Sequence, residues 1–424
     1  MNAASTPPPT GTAGTHDAPP RRVVVAGLGL ISPLGHGAWP TFRALLDGAT
    51  VADRLVALEP GTDPLPLTQA VGGVSVARQV AGDPACDLAE RAAREAAAEA
   101  NVGLAGLPAW LGTSKGAVTS WTRAADAWSR GGRKPVLPPD LAACVALGPH
   151  GFLAHQLGTR TGVSVRGHAV AACASGLVAL DLAFGALRRS TTEPDVAPDT
   201  PADALVVSSE SALLPAFVHS YRRLGVLAPT TADAYRARPL DERRGGFVLG
   251  EAGVAVLLRA LPRGAVPGTG QIELLSTAVC TDPGHLIRSD ARMAGLERVA
   301  QMIGSRLDRA PVALHPHAPG TIEHDAAEAA VLARVLGSSG TSLPAYAAKG
   351  ALGHALGASG LVSLVVACLC ARTARRPPMP WLERPLAVPG VAVEAAGGAL
   401  PQGAHAVFAA GFGGHVAGAA VAAG

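Results

Sequence analysis

The sequence predicts a layered α/β fold with mostly parallel central sheets. Three observations carry this expectation. β-branched runs alternate with helix-patterned segments, as crossovers between parallel strands require; 48% of the 424 residues are hydrophobic, enough for a large core; and a short segment recurs in each half. ASGLVAL begins at Ala174 and ASGLVSL at Ala358, each opening an apolar helix after a run of small residues. Their matching positions point to duplication.

The elements follow in order. Residues 1–20, rich in Pro, Thr, Ala and Gly and without the charged start and apolar block of a secretory signal, read as a disordered tail. Folded structure starts at Arg21, where RRVVVAGLGLISPLG gives a β-branched run and then Gly-rich turns. GLGLIS resembles the start of a dinucleotide fingerprint, but Ser32 stands where the third glycine belongs and Asp47 reads as a helix end, so no nucleotide site is expected. Residues 83–103 are Ala-rich with interspersed charges and should be helical. LPAWLG and ALVVSS read as strands, the second after a polar, Pro-rich surface loop at 191–203. A further polar stretch, LPRGAVPGTG at 261–270, separates the strands GVAVLL and QIELL, which divides the chain into halves at 21–260 and 261–424. LVSLVVACLCA falls short of the roughly 18 residues of a membrane span and reads as a buried helix, with Cys368 and Cys370 in the core.

Composition excludes several functions. Charged residues make up only 16% and the formal net charge is +3, which does not suit a broad nucleic-acid-binding surface. Six cysteines without regular spacing fit a reducing cytoplasm rather than a disulfide framework. Basic residues are almost all Arg. Lys115, Lys134 and Lys349 are the lysines of the chain, and a lysine kept against that bias invites a role.

The chemistry centres on VAACASGLVAL at 170–180. A strand turning sharply into a helix at Cys173 would set the sulfur at the helix N-terminus, where unpaired N–H groups and the dipole favour thiolate. That is nucleophile-elbow geometry. A cysteine nucleophile needs a base or cation nearby, and HPHAPGTIEHDAAE (315–328) and KGALGHALGASG (349–360) each put a histidine among turn residues beside a helix start. His315, His317, His324 and Asp325 are also metal-ligand types, but Pro316 and uneven spacing argue against a metal site.

Together these segments resemble the β-ketoacyl synthases, condensing enzymes of the thiolase-like superfamily, over nearly the whole chain after the tail. AACASG matches the nucleophile block at Cys173, and RPLDERRGGFVLGEAG is similar to the Pro-x-Asp-x-x-Arg-x-Gly-Phe-x-x-Gly-Glu segment. His317, Gly320, Thr321, Asp325 and Glu328 fall on HGTGTxxNDxxE, and Lys349, Gly353, His354, Gly357 and Gly360 on KxxxGHxxGxxG. GFGG at 411–414 resembles the C-terminal Gly-rich loop. The chain departs from the pattern at Ala318, Pro319, His324, Gly350, His415 and Val416.

The resemblance implies two related halves in an αβαβα architecture and a stand-alone enzyme making a decarboxylative Claisen condensation in fatty-acid-like or polyketide biosynthesis. Cys173 would carry the acyl group, His317 and His354 would donate to the malonyl thioester carbonyl, and the N–H groups of Cys173 and Phe412 would hold the oxyanion. Phe412 would also gate the acyl pocket, while Lys349 and Glu328 would orient the histidines. No cofactor or metal is implied. Substrates would arrive on acyl carrier protein or coenzyme A, with Arg188, Arg189, Arg222, Arg223, Arg243 and Arg244 as docking points for an acidic carrier. Dimers, of like or related subunits, would form through edge strands near the nucleophile. The altered residues around His317 leave one alternative, a non-elongating acyltransferase forming an ester or amide; a third reading, an inactive partner subunit of a heterodimer, has Cys173 against it.

Overall fold

The computed structural model describes residues 20–51, 55–56, 65–68, 82–131, 137–189, 202–229, 237–282, 292–338 and 340–424. The expected tail, most of the loop at 191–203, and Lys134 lie outside them.

The first half supplies strands β1 (Val23–Ser32), β2 (Pro108–Gly112), β3 (Ser164–Ala169), β4 (Ala202–Glu210) and β5 (Ala252–Ala260). Its helices are α1 (Ala38–Leu46), α2 (Pro84–Glu99), α3 (Val118–Arg130), α4 (Pro139–Thr161), α5 (Ser175–Arg189) and α6 (Pro215–Arg223). Next come β6 (Ile272–Thr281), α7 (Ala294–Gly304), β7 (Ala313–His315), α8 (Asp325–Leu336), α9 (Ser359–Thr373), β8 (Ala404–Gly411) and β9 (His415–Ala423).

These strands join in the order β7-β8-β9-β6-β1-β5-β4-β2-β3. The order is nearly a mirror image about the β1–β6 junction, where only Val24 and Val25 pair with Glu273 and Ile272. Helices α5 and α9 pack on each other and reach strands of both halves, forming the middle layer, while α2 covers β1 and β5 on one outer face and α7 covers β6 and β9 on the other. This is the layered α/β architecture expected.

The sheet is not mostly parallel. β2 runs parallel to β3 and β4, and β7 to β8, but β1–β5, β4–β5, β8–β9, β9–β6 and β1–β6 are antiparallel. Helix crossovers, which impose parallel pairing, connect only part of the strands. β8 and β9 meet through Gly413 and Gly414 at φ 86° and 77°, a tight turn that can only reverse the chain.

GLGLIS is a packing motif. A Cβ on Gly27 would stand 2.0 Å from the Ala96 carbonyl oxygen, and one on Gly29 the same distance from that of Ala92. The glycines therefore let the Ala-rich face of α2 lie directly on β1. Asp47 caps the end of α1, as its sequence suggested.

Helix α9 is buried from Ser359 to Ala371. With the turn before it, Leu356–Thr373 does reach 18 residues at mean hydropathy 1.7, a length the apolar run alone fell short of. The segment is 89% buried inside the protein, so it serves as the central core helix, with Cys368 and Cys370 fully enclosed.

Candidate active site

Between β3 and α5 the chain passes through a single 3-10 turn, Ala172–Ala174, with Ala172 at φ 47°. A left-handed alanine is uncommon, and here the turn is braced: Ser175 Oγ accepts from the Ala171 N–H at 2.9 Å and donates to the Ala172 carbonyl at 2.7 Å. Cys173 sits at its apex. The second half repeats the device at Leu356–Ala358, with Leu356 at φ 40°, but the position matching Cys173 is Gly357. A Cβ there would lie 2.5 Å from Glu210 Oε1.

Cys173 Sγ and one ring nitrogen each of His317 and His354 all lie within 4.8 Å of one another. The imidazoles meet edge to face at 5.5 Å, and Phe247 stands edge-on to His354 at 4.7 Å. Burial, reinforced by Lys349, pulls both histidines well below the usual imidazole range, so both are neutral at pH 7. Burial also pushes the Cys173 thiol up to about 11, against the pull of Lys349. The sequence had suggested a thiolate stabilised by the helix end; desolvation prevails, and the resting group is a thiol that needs a local proton acceptor. A neutral imidazole can be that acceptor. With an acceptor that is already neutral, alkylation of Cys173 by iodoacetamide is expected to change little between pH 7 and 8; a rise of about tenfold per pH unit in a mass-spectrometric time course would show free thiolate reacting without the imidazole.

Glu328 and Lys349 lie behind His317, but they hold its backbone rather than its ring. Glu328 accepts from the His317 and Ala318 N–H groups, both at 2.7 Å, and Lys349 Nζ donates to the His317 carbonyl. Burial lowers Lys349 to about 8, opposed by the attraction of Glu328. Asp325 braces the same loop by accepting from Gly320 at 3.0 Å and Leu240 at 2.9 Å. The loop's departures show here: Ala318 takes φ 34°, His317 Nδ1 is buried without a hydrogen-bond partner, and the His324 ring meets His317 at 5.2 Å. His315 turns away to His405, Nε2 to Nδ1 at 3.2 Å, so the metal-ligand types of this segment do not converge.

Phe412 is half-buried against the cluster containing Leu213, Tyr221, Phe247 and Leu356. The residue before it abuts the elbow: a Cβ on Gly411 would fall 2.9 Å from the Cys173 nitrogen. Of the arginines, Arg244 is engaged in the fold, donating to the Thr321 and Ile322 carbonyls at 2.9 and 2.6 Å, and Arg243 pairs with Glu383. Arg222 and Arg223 stay exposed at the end of α6.

Gly350 has a tertiary cause. A Cβ at this position would lie 2.2 Å from the Trp381 ring, whose Nε1 donates to the Pro239 carbonyl at 3.0 Å. The indole fills the space a side chain would need. Gly350→Ser should therefore cost about 2 kcal/mol or more by overpacking and lower Tm, with recovery when Trp381→Leu is added; an unchanged Tm would refute the clash.

Sequence reasoning missed Phe247, although it lies within RPLDERRGGFVLGEAG, and missed Glu210, whose approach to the elbow comes from the far end of β4. Thr113 Oγ1 donates to Glu210 at 3.1 Å, and burial lifts its carboxyl to about 7.

A family profile described as β-ketoacyl synthase, N-terminal domain, matches residues 20–263, and its C-terminal counterpart matches residues 276–383. The chain belongs to the β-ketoacyl synthase family. Among relatives, a putative polyketide β-ketoacyl synthase 1 of Streptomyces halstedii is 29% identical over 83% of this chain and 85% of that protein. The tetracenomycin polyketide synthase ketoacyl synthase alpha subunit of Streptomyces glaucescens is 27% identical over 86% and 88%. Among solved structures, a type II polyketide synthase acyl-carrier protein in complex with its ketosynthase superposes with a TM-score of 0.79 at 22% identity, covering 96% of this chain and 100% of that one. The ishigamide ketosynthase/chain length factor gives 0.75 at 20% identity over 96% and 100%. As a family member the chain is an acyl-transferring condensing enzyme of thiolase-like fold.

Proposed function

We propose that this synthase elongates an acyl chain by decarboxylative Claisen condensation, with Cys173, His317 and His354 as its catalytic residues. The observation that carries the reading is the convergence of these three side chains at the braced elbow. Cys173 attacks an acyl thioester, passes its proton to a neutral imidazole and holds the acyl group. A malonyl thioester then loses carbon dioxide while the imidazole N–H groups steady the enolate oxygen, and the carbanion attacks the acyl-Cys carbonyl, releasing the thiolate. The N–H groups of Cys173 and Phe412 receive the oxyanion, a role supported by the approach of Gly411 to the elbow. Phe412 gates the acyl pocket. Lys349 and Glu328 act through the His317 backbone.

The substrates are carrier-bound or coenzyme A thioesters in a polyketide or fatty-acid-like pathway. Exposed Arg222 and Arg223 suit an acidic carrier, and an acyl-carrier protein accompanies the ketosynthase in the structural neighbour. Pairing in a dimer, with itself or with a related subunit, would use β3, which ends the sheet and is followed by Val170 at 50% exposure. The mirrored strand order supports halves at 21–260 and 261–424. Six free cysteines suit the cytoplasm.

Purified protein given an acyl donor and malonyl-carrier should release carbon dioxide, and His317→Ala or His354→Ala should each stop the release, with self-acylation continuing in the first and slowed in the second. The unpartnered His317 Nδ1 favours one competing reading, acyl transfer to an oxygen or nitrogen nucleophile, which needs a single base. Self-acylation without decarboxylation of any malonyl thioester would select it.

A further inference from the structure

The two histidines of the site are held differently. His317 Nδ1 has no hydrogen-bond partner, and Pro319, two residues on, has no N–H to offer. His354 Nδ1 lies 2.7 Å from Ser359 Oγ, with both residues buried, so Nε2 is the nitrogen left to face Cys173. A backbone N–H at Nδ1 would lock one tautomer. A hydroxyl does not, because it can donate or accept.

Ser359 has room to do both. It lines a cavity of about 10 Å³ together with Ser32, Glu251, Lys349 and Ser363, on the order of the space one water occupies. Glu251 there also accepts a hydrogen bond from Ser211 Oγ. When Ser359 accepts from Nδ1–H, its own proton can turn into this cavity, whose mostly apolar lining also holds these polar groups. When it donates to Nδ1, no proton is stranded.

We infer that Ser359 is a positioning residue that lets His354 change tautomer between the two half-reactions. The inference rests on the condensing reading of the site. During acylation Ser359 accepts from Nδ1–H, leaving Nε2 with a lone pair; the Cys173 proton moves to Nε2 as sulfur attacks, and the imidazolium hands one proton to the departing thiol of the donor. Between the half-reactions one proton leaves Nδ1 through the Ser359 hydroxyl and one is taken up at Nε2 from solvent, so the ring stays neutral; for condensation Ser359 then donates to Nδ1, and Nε2–H points at the malonyl carbonyl. Without the hydroxyl, a buried Nδ1–H would lack an acceptor, and the proton-accepting tautomer would be disfavoured.

The test uses iodoacetamide alkylation of Cys173 at pH 7.5, which needs no acyl substrate and so reports on Ser359 even if the protein proves unable to decarboxylate malonyl thioesters. Ser359→Ala should slow alkylation about tenfold, and Ser359→Thr, which keeps the hydroxyl, should stay within about threefold of wild type. Wild-type speed in the Ala variant, or equal slowing in a Thr variant of unchanged Tm, would overturn the inference. A second measurement does not depend on either variant folding. Ring ¹⁵N shifts of His354 in the wild-type protein, identified by their loss in His354→Ala, should show both tautomers in exchange; a single Nε2–H tautomer would overturn it.

Discussion

Cys173→Ala is expected to give a folded protein that takes up no acyl group, and to cut condensation by at least about a thousandfold. The other thiols offer no replacement. Cys86, Cys144, Cys368 and Cys370 are buried, and Cys280 lies on β6 with Arg298 Nη1 at 3.4 Å, away from both histidines in the contacts it makes. Intact-mass spectrometry after incubation with an acyl-carrier thioester should show one added acyl mass on the wild type and none on the variant. Acylation persisting in the variant would remove Cys173 from the centre of the mechanism. Wild-type protein that never acylates with any donor would leave the idle partner subunit as the better account.

Lys349→Ala should separate the two half-reactions. The ammonium holds the His317 carbonyl, and its charge also draws the Cys173 thiol down. Losing it frees the backbone that aims His317, so condensation should fall about a hundredfold, the scale of losing one preorganised group. Acylation should fall only a few-fold, because burial dominates the state of the thiol and is unchanged. Single-turnover acylation and carbon dioxide release, measured on the same preparation, give the two numbers. Equal loss in both, with a large drop in Tm, would mark Lys349 as a folding residue. Its own lowered value of about 8 adds a sign: above that pH the charge is lost while the neutral amine can still donate to the His317 carbonyl, so wild-type condensation should decline only part of the way toward the variant's rate.

Legibility in the sequence tracked how local the cause was. The elbow was readable because a small-residue run before a helix start is a local signal, and the paired ASGLV segments were readable for the same reason. In the structure they are matched 3-10 turns leading into α5 and α9, each helix 15 residues long. Strand direction was not readable. Alternating strands and helices implied parallel pairing, but direction depends on which strands become neighbours, and β5 settles against β1 and β4 from far along the chain. The protonation state of Cys173 also escaped, because a helix end is visible in sequence and the burial that outweighs it is not.

By itself the sequence determined the layered α/β class and put forward Cys173, from its turn before a helix, and His317 and His354, from the likeness of their segments to the family's, as the candidate catalytic set. It also located Lys349 and Glu328, though not what they hold. Tertiary structure alone decided that they grip the His317 backbone, that Phe247 and Glu210 approach the site, that Gly350 is small because Trp381 lies against it, and that Ser359 meets His354. The physical reason is common to all of these. Each depends on the distance between segments far apart in the chain or on the water excluded between them, and both quantities exist only once the two halves have closed around α5 and α9.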